Sequence, residues 1–134
     1  MTAGEPVIAS IHINAPPKQV FSFFVEPEKL CSWLARWAEL EPRVSGRLAL
    51  DIEGTPVRGE ILEIEPGRRL VLSWGHAGSD RLPPGSSRVE IDFVEEGGGT
   101  HVRLIHRDLP EPEVPSHVRG WTVLFARLAA LEMA

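Results

Sequence analysis

The chain of 134 residues contains one cysteine, no tyrosine and no long apolar run. A lone Cys31 rules out an internal disulfide framework and suits a reducing compartment. Beside Trp33 on a short helix, it reads as a small buried apolar residue rather than a nucleophile. Without tyrosine, no phenol is available as a catalytic acid. No stretch approaches the roughly 20 apolar residues of a membrane-spanning helix, so membrane insertion is not expected. Basic charge is also thin, with 14 Lys and Arg against 19 Asp and Glu and a formal net charge of −5. Arg68–Arg69 is the only adjacent basic pair, which argues against nucleic acid as a partner. Met1 to Pro6 lacks a basic region followed by an apolar core, so no signal peptide and a cytoplasmic location are expected.

Motifs of common chemistries are missing as well. There is no Gly-x-Ser-x-Gly elbow. His76, His106 and His117 show no close ligand spacing, so no metal is expected, and nothing calls for a cofactor. Gly97-Gly98-Gly99 leads into a strand and reads as a hairpin turn, because a phosphate loop needs a helix to follow.

What is present is ordinary globular material, 43% hydrophobic and 25% charged. Residues 1–134 fit one domain. The organising stretch is Ser116 to Ala134, where His117, Trp121, Leu124, Phe125, Leu128 and Leu131 share one helical face. Ser116 or Glu113 is placed to cap its start, and Pro112 and Pro115 fit only a first turn. Two large rings on that stripe require a wide apolar partner.

The rest of the chain supplies one. Val7 to Ile13 alternates as a first strand. Ala15-Pro16-Pro17 stops it and opens a helix carrying Val20, Phe21 and Phe24, and a second short helix follows around Glu28 to Trp33. Period-two strands then carry Leu48, Leu50 and Ile52, then Val57 to Ile64, then Leu70, Leu72, Trp74 and His76. The apolar side of the middle one shifts between Ile61 and Leu62, which predicts a bulge. Ala77 to Ser87 reads as a mobile loop. Two last strands bring Val89, Ile91 and Phe93, then Val102, Leu104 and His106, inward. The pattern predicts an α+β fold, a curved antiparallel sheet of about six or seven strands around one long C-terminal helix.

Specific segments carry a family resemblance across nearly the whole chain. They are Ile11-His12-Ile13-Asn14-Ala15-Pro16-Pro17 with Val20-Phe21, Glu26-Pro27-Glu28-Lys29-Leu30 with Trp33, and Gly59-Glu60-Ile61-Leu62-Glu63-Ile64-Glu65-Pro66. Arg69-Leu70-Val71-Leu72-Ser73-Trp74, Gly97-Gly98-Gly99-Thr100, Leu104-Ile105-His106 with Leu109-Pro110, and His117, Gly120-Trp121 and Leu128 complete them. The sequence resembles the SRPBCC (START/Bet v 1-like, helix-grip) superfamily, in particular its branch of activator of Hsp90 ATPase homologue-like proteins. The resemblance implies a cavity between sheet and terminal helix that often holds a lipophilic small molecule, and no shared catalytic set.

The candidate pocket is therefore bounded by Phe24, Trp33, Trp37, Trp74, His76, Ile91, Leu104, His106, Trp121 and Phe125, an apolar lining with few polar groups. The competing reading is a closed core built from the same residues. His106 is the foremost candidate acid or base, with His76 or an arginine such as Arg36 behind it, set against a histidine whose bonds are purely structural. The expected function is non-catalytic binding of a small hydrophobic or aromatic ligand, with the Ala77–Ser87 loop near the mouth. A polyketide cyclase/aromatase- or hydrolase-like enzyme using His106 is one alternative. A co-chaperone-like interaction module, or a homodimer, is another.

Overall fold

The computed structural model describes residues 3–133. Seven strands form one antiparallel sheet in the order β1-β7-β6-β5-β4-β3-β2. They are β1 (Val7–Ile13), β2 (Trp37–Leu40), β3 (Arg47–Ile52), β4 (Thr55–Glu65), β5 (Arg69–His76), β6 (Ser87–Glu96) and β7 (Gly99–Arg107). Helices α1 (Pro17–Val25) and α2 (Pro27–Leu30) join β1 to β2, and α3 (Val114–Ala129) ends the fold after a single 3-10 turn at Glu111–Glu113. Chain order is kept along the sheet except at β1, which closes onto β7. Most pairs can therefore be joined by short turns.

Two of those turns are set by glycine. Glu53 and Gly54 both take positive φ (50° and 90°) between β3 and β4, as do Gly97 and Gly98 (57° and 82°) between β6 and β7. Such two-residue turns match the twist of the strands they join. The shift at Ile61 is a bulge: Ile61 pairs with Leu72 and Glu63 with Val71, leaving Leu62 unpaired and exposed. It bends β4 and helps the sheet curl.

One face of the sheet receives the apolar side of every strand. Leu48, Leu50, Val57, Ile61, Leu70, Leu72, Val89, Ile91, Phe93, Val102 and Leu104 are buried there. From α3 come Trp121, Leu124, Phe125 and Leu128, at the expected spacing. Each such side chain contributes about 1.5–3 kcal/mol relative to exposure. Phe21 and Phe24 of α1 pack edge-on against Phe93, and Trp33 meets both Phe24 and Phe125. The Trp33 indole N–H donates to the Phe23 carbonyl (2.9 Å), so its polar edge is satisfied where the helices meet.

Several expectations need correction. The terminal helix stops at Ala129 instead of running toward Ala134, which lies outside the described residues. The chain turns there, half-burying Leu131 and placing Met133 in the core. Neither Ser116 nor Glu113 caps α3 through its side chain, and the Ser116 hydroxyl donates back to the Glu113 carbonyl. Cys31 is exposed, since it follows the single turn of α2 on the side away from Leu30 and Trp33. The loop between β5 and β6 is pinned: Leu82 is fully buried, its carbonyl accepts from the His76 amide (2.7 Å) and its amide donates to the Ser79 hydroxyl.

Candidate functional site

α3 lies closest to β1 and so rests toward one side of the curved sheet. On its other flank a cleft of about 270 Å³ opens between the helix and the β3–β4 hairpin. Ile52, Glu53, Thr55 and Val57 form the hairpin wall, Trp74 and His76 the floor, and Ser116, His117, Gly120, Trp121 and Leu124 the helix wall. Deeper in, between Trp33, Leu50, Trp74, Ile91 and Trp121, the gap is only about 10 Å³. That is room for one water at most. The interior is thus filled, and the accessible space lies at its side.

This geometry sorts the expected pocket residues. Trp74, His76 and Trp121 line the cleft. Phe24, Trp33 and Ile91 border the small inner gap, while Leu104 and Phe125 are plain core. Trp37 is 44% exposed and lines neither the cleft nor the inner gap. Its strand alternates, Ala38 and Leu40 toward the core and Trp37 and Glu39 outward. The Arg58 guanidinium covers its ring at 5.8 Å from the centroid.

His106 is held in a complete hydrogen-bond chain. Trp121 Nε1–H donates to His106 Nδ1 (3.0 Å), which places the ring proton on Nε2. Nε2–H donates to Ser87 Oγ (2.8 Å), and that hydroxyl donates to the Trp74 carbonyl (2.7 Å). Burial, with smaller contributions from His117 and His76, pushes the pKa of His106 down to about 3. Both nitrogens are engaged and the ring stays neutral near pH 7. His106 therefore positions the two tryptophans and has no free nitrogen for proton transfer to a ligand.

His117 and His76 are placed differently. His117 Nδ1–H donates to the Glu113 carbonyl (2.7 Å), which leaves its Nε2 as an acceptor. His76 stacks on His117 with centroids 5.7 Å apart and planes 12° from parallel. Burial, then the neighbouring His117, lowers the pKa of His76, against an opposing pull from Glu113. Trp74 adds an unusual feature: its buried indole N–H has no hydrogen-bond partner. Such an orphan costs about 1–3 kcal/mol.

The hairpin residues, His117 and Gly120 are absent from the pocket expected from sequence. Gly120 was detectable, since a glycine inside an amphipathic helix costs about 1 kcal/mol against alanine and calls for a reason. Here a Cβ at Gly120 would meet nothing within 4 Å, so the residue widens the cleft. Among the described residues no group of three or more His, Cys, Asp or Glu comes together to hold a metal ion. No helix among them is long and apolar enough to cross a membrane.

A curved seven-strand sheet closed over its C-terminal helix defines the chain as a helix-grip α+β protein of the SRPBCC superfamily. It belongs to the family of activator of Hsp90 ATPase homolog 1-like proteins, whose model matches residues 14–132. The chain is similar to the AHSA1-like protein RHE_CH02687 from Rhizobium etli, with 41% identity over 93% of this chain and 79% of that one, at a TM-score of 0.72. It is similar to CalU16 from Micromonospora echinospora, with 30% identity over 92% and 73% and a TM-score of 0.77. Protein MLL2253 from Mesorhizobium loti shares the fold at a TM-score of 0.83, with 22% identity over 93% and 94%. Among curated proteins nothing matches.

Proposed function

We propose that this protein binds a small, flat, largely apolar molecule in the cleft between α3 and the β3–β4 hairpin, without transforming it. The observation that carries this reading is Trp74. A large apolar ring forms the cleft floor while its N–H lacks an acceptor. A ligand carbonyl or ether oxygen would satisfy that donor once the ring turns to bring it to the cleft surface, and the ring would cover the ligand's face. His117 Nε2 offers one acceptor for a ligand hydroxyl or N–H. The volume of about 270 Å³ is close to the lower end of small-molecule sites, which favours a body of about two fused rings.

The enzyme reading that uses His106 loses its acid–base group, because both ring nitrogens are bonded inside the protein. The co-chaperone-like interaction reading finds no single apolar face to rest on. The exposed apolar side chains Ile8, Trp37, Val44, Leu62, Val94, Val118 and Val123 are spread over α3, four strands and a loop. They do not form a single helix or strand face.

The test is a titration with N-phenyl-1-naphthylamine followed by NMR of the four indole N–H signals. The Trp74 and Trp121 signals should move and those of Trp33 and Trp37 should stay. Saturable binding that leaves Trp74 and Trp121 unmoved, or no binding up to the probe's solubility, would defeat the proposal.

A further inference from the structure

The cleft has a neighbour. A second hollow, of about 440 Å³, lies between the residues after α2 and the C-terminal half of α3, bordered by Cys31, Trp33, Arg36, Glu53 and Arg127. Glu53 is the one residue that lines both spaces. Its carboxylate accepts from Arg127 Nη2 at 2.7 Å, bridging from the tip of the β3–β4 hairpin to α3. The ion pair is the partition between an apolar compartment and a cationic one.

Three observations indicate that this partition yields. Both partners are well exposed, Arg127 at 46% and Glu53 at 62%, and ion pairs in water contribute little net stability. Apart from the Glu53–Arg127 bond the hairpin tip faces open space at Gly54, where a Cβ would meet nothing within 4 Å. The charges are also unbalanced, since two arginines and one carboxylate border the second hollow. The neighbouring carboxylate at the hairpin tip, Asp51, already accepts from the Gly54 amide at 2.7 Å. Arg127, and behind it Arg36, hold the Glu53 carboxyl below its usual range, so that carboxylate already occupies an anion position.

Resting on the cleft reading above, we infer that the ligand class is an amphipathic organic anion. Its flat apolar body lies over Trp74 and Trp121, and its carboxylate or sulfonate head replaces Glu53 between Arg127 and Arg36. A guanidinium presents paired N–H donors to such a group, which makes arginine suited to this exchange. With Glu53 swung aside the two hollows become one groove along α3, open to a ligand longer than the cleft alone admits.

Two probes with the same ring skeleton separate the ideas. 8-Anilinonaphthalene-1-sulfonate carries the anionic head and N-phenyl-1-naphthylamine does not. Fluorescence titrations are run on the wild type, Glu53→Gln, Arg127→Gln and Arg36→Gln, with thermal melts confirming the fold of each. Glu53→Gln should tighten the sulfonate by about two- to fivefold, and each arginine variant should weaken it by a similar factor, the range an exposed ion pair supports. The neutral probe should stay within about twofold in Arg127→Gln and Arg36→Gln, whose side chains lie outside the cleft wall, and only the sulfonate should lose affinity as salt rises. Neutral-probe binding together with sulfonate binding blind to all three substitutions would overturn this inference and leave the cleft reading standing. Failure of both probes to bind any form would overturn both.

Discussion

Trp121 Nε1–H donates to His106 Nδ1 at 3.0 Å, and this bond ties α3 to β7, one strand in from the sheet edge. Burial of that histidine also gives the fold a pH dependence of known sign. The unfolded His106 takes up a proton near pH 6.5, whereas the folded one resists protonation down to about 3. Its contribution is intact above pH 6.5 and falls away as pH drops toward 3. Lowered His76 acts in the same direction. Stability from urea denaturation should therefore decline below pH 6.5 with a slope approaching about 1.4 kcal/mol per pH unit for His106. The paired carboxylates Glu41, Glu53 and Glu90, referenced to 4.5, enter only at lower pH. His106→Gln should lower stability at pH 7 and flatten the slope between 6.5 and 4.5. A variant retaining the full slope there would show that another group is responsible.

The two adjacent tryptophans, Trp74 and Trp121, should respond unequally to the same substitution. Trp121→Phe strands a buried acceptor on His106, while Trp74→Phe deletes an N–H that already lacks a partner. Both lose similar ring volume beside each other, 5.3 Å between centroids. Trp121→Phe should cost more by about 1–3 kcal/mol, the penalty for an unsatisfied buried group. Equal losses in chemical denaturation would mean that packing alone sets the cost at both sites.

Much of this architecture is legible in the chain because burial on one face writes a period of two into each strand. Val89, Ile91 and Phe93 read inward and are inward, and the break in the pattern at Ile61–Leu62 is the bulge itself. Trp37 could not be placed that way. Four residues at a sheet edge are too few to show alternation, and a tryptophan by default suggests the interior. Nor does any local pattern reveal where the open volume lies. That depends on α3 resting nearer β1 than the β3–β4 hairpin, a distance set by the curl of the whole sheet. The partners of His106 were equally hidden, since Ser87 is 19 residues away and faces it only through the β6–β7 pairing.

Gly120 separates function from folding. A side chain there enters the cleft without touching anything within 4 Å at its Cβ. Replacing a helical glycine also improves helix propensity by up to about 1 kcal/mol. Gly120→Leu should melt at or above the wild-type temperature in calorimetry, yet lose binding of N-phenyl-1-naphthylamine. Retained affinity in a well-folded variant would mean that the probe sits elsewhere.

The bulge makes the last prediction, because it sets neighbouring residues on opposite faces without a regular alternation to protect them. Ile61 is fully buried and its amide and carbonyl reach Gly46 and Ser45, whereas Leu62 is 42% exposed with no partner across β5. Ile61→Ala should cost about 2–5 kcal/mol, the usual loss for emptying a packed aliphatic site. Leu62→Lys should fall within about 0.5 kcal/mol of wild type, as surface changes do. Had the strand run without the bulge, pairing would slip by one residue and every apolar side chain beyond it would change face. A Leu62→Lys variant destabilised as badly as Ile61→Ala would place Leu62 in the core and remove the bend in β4.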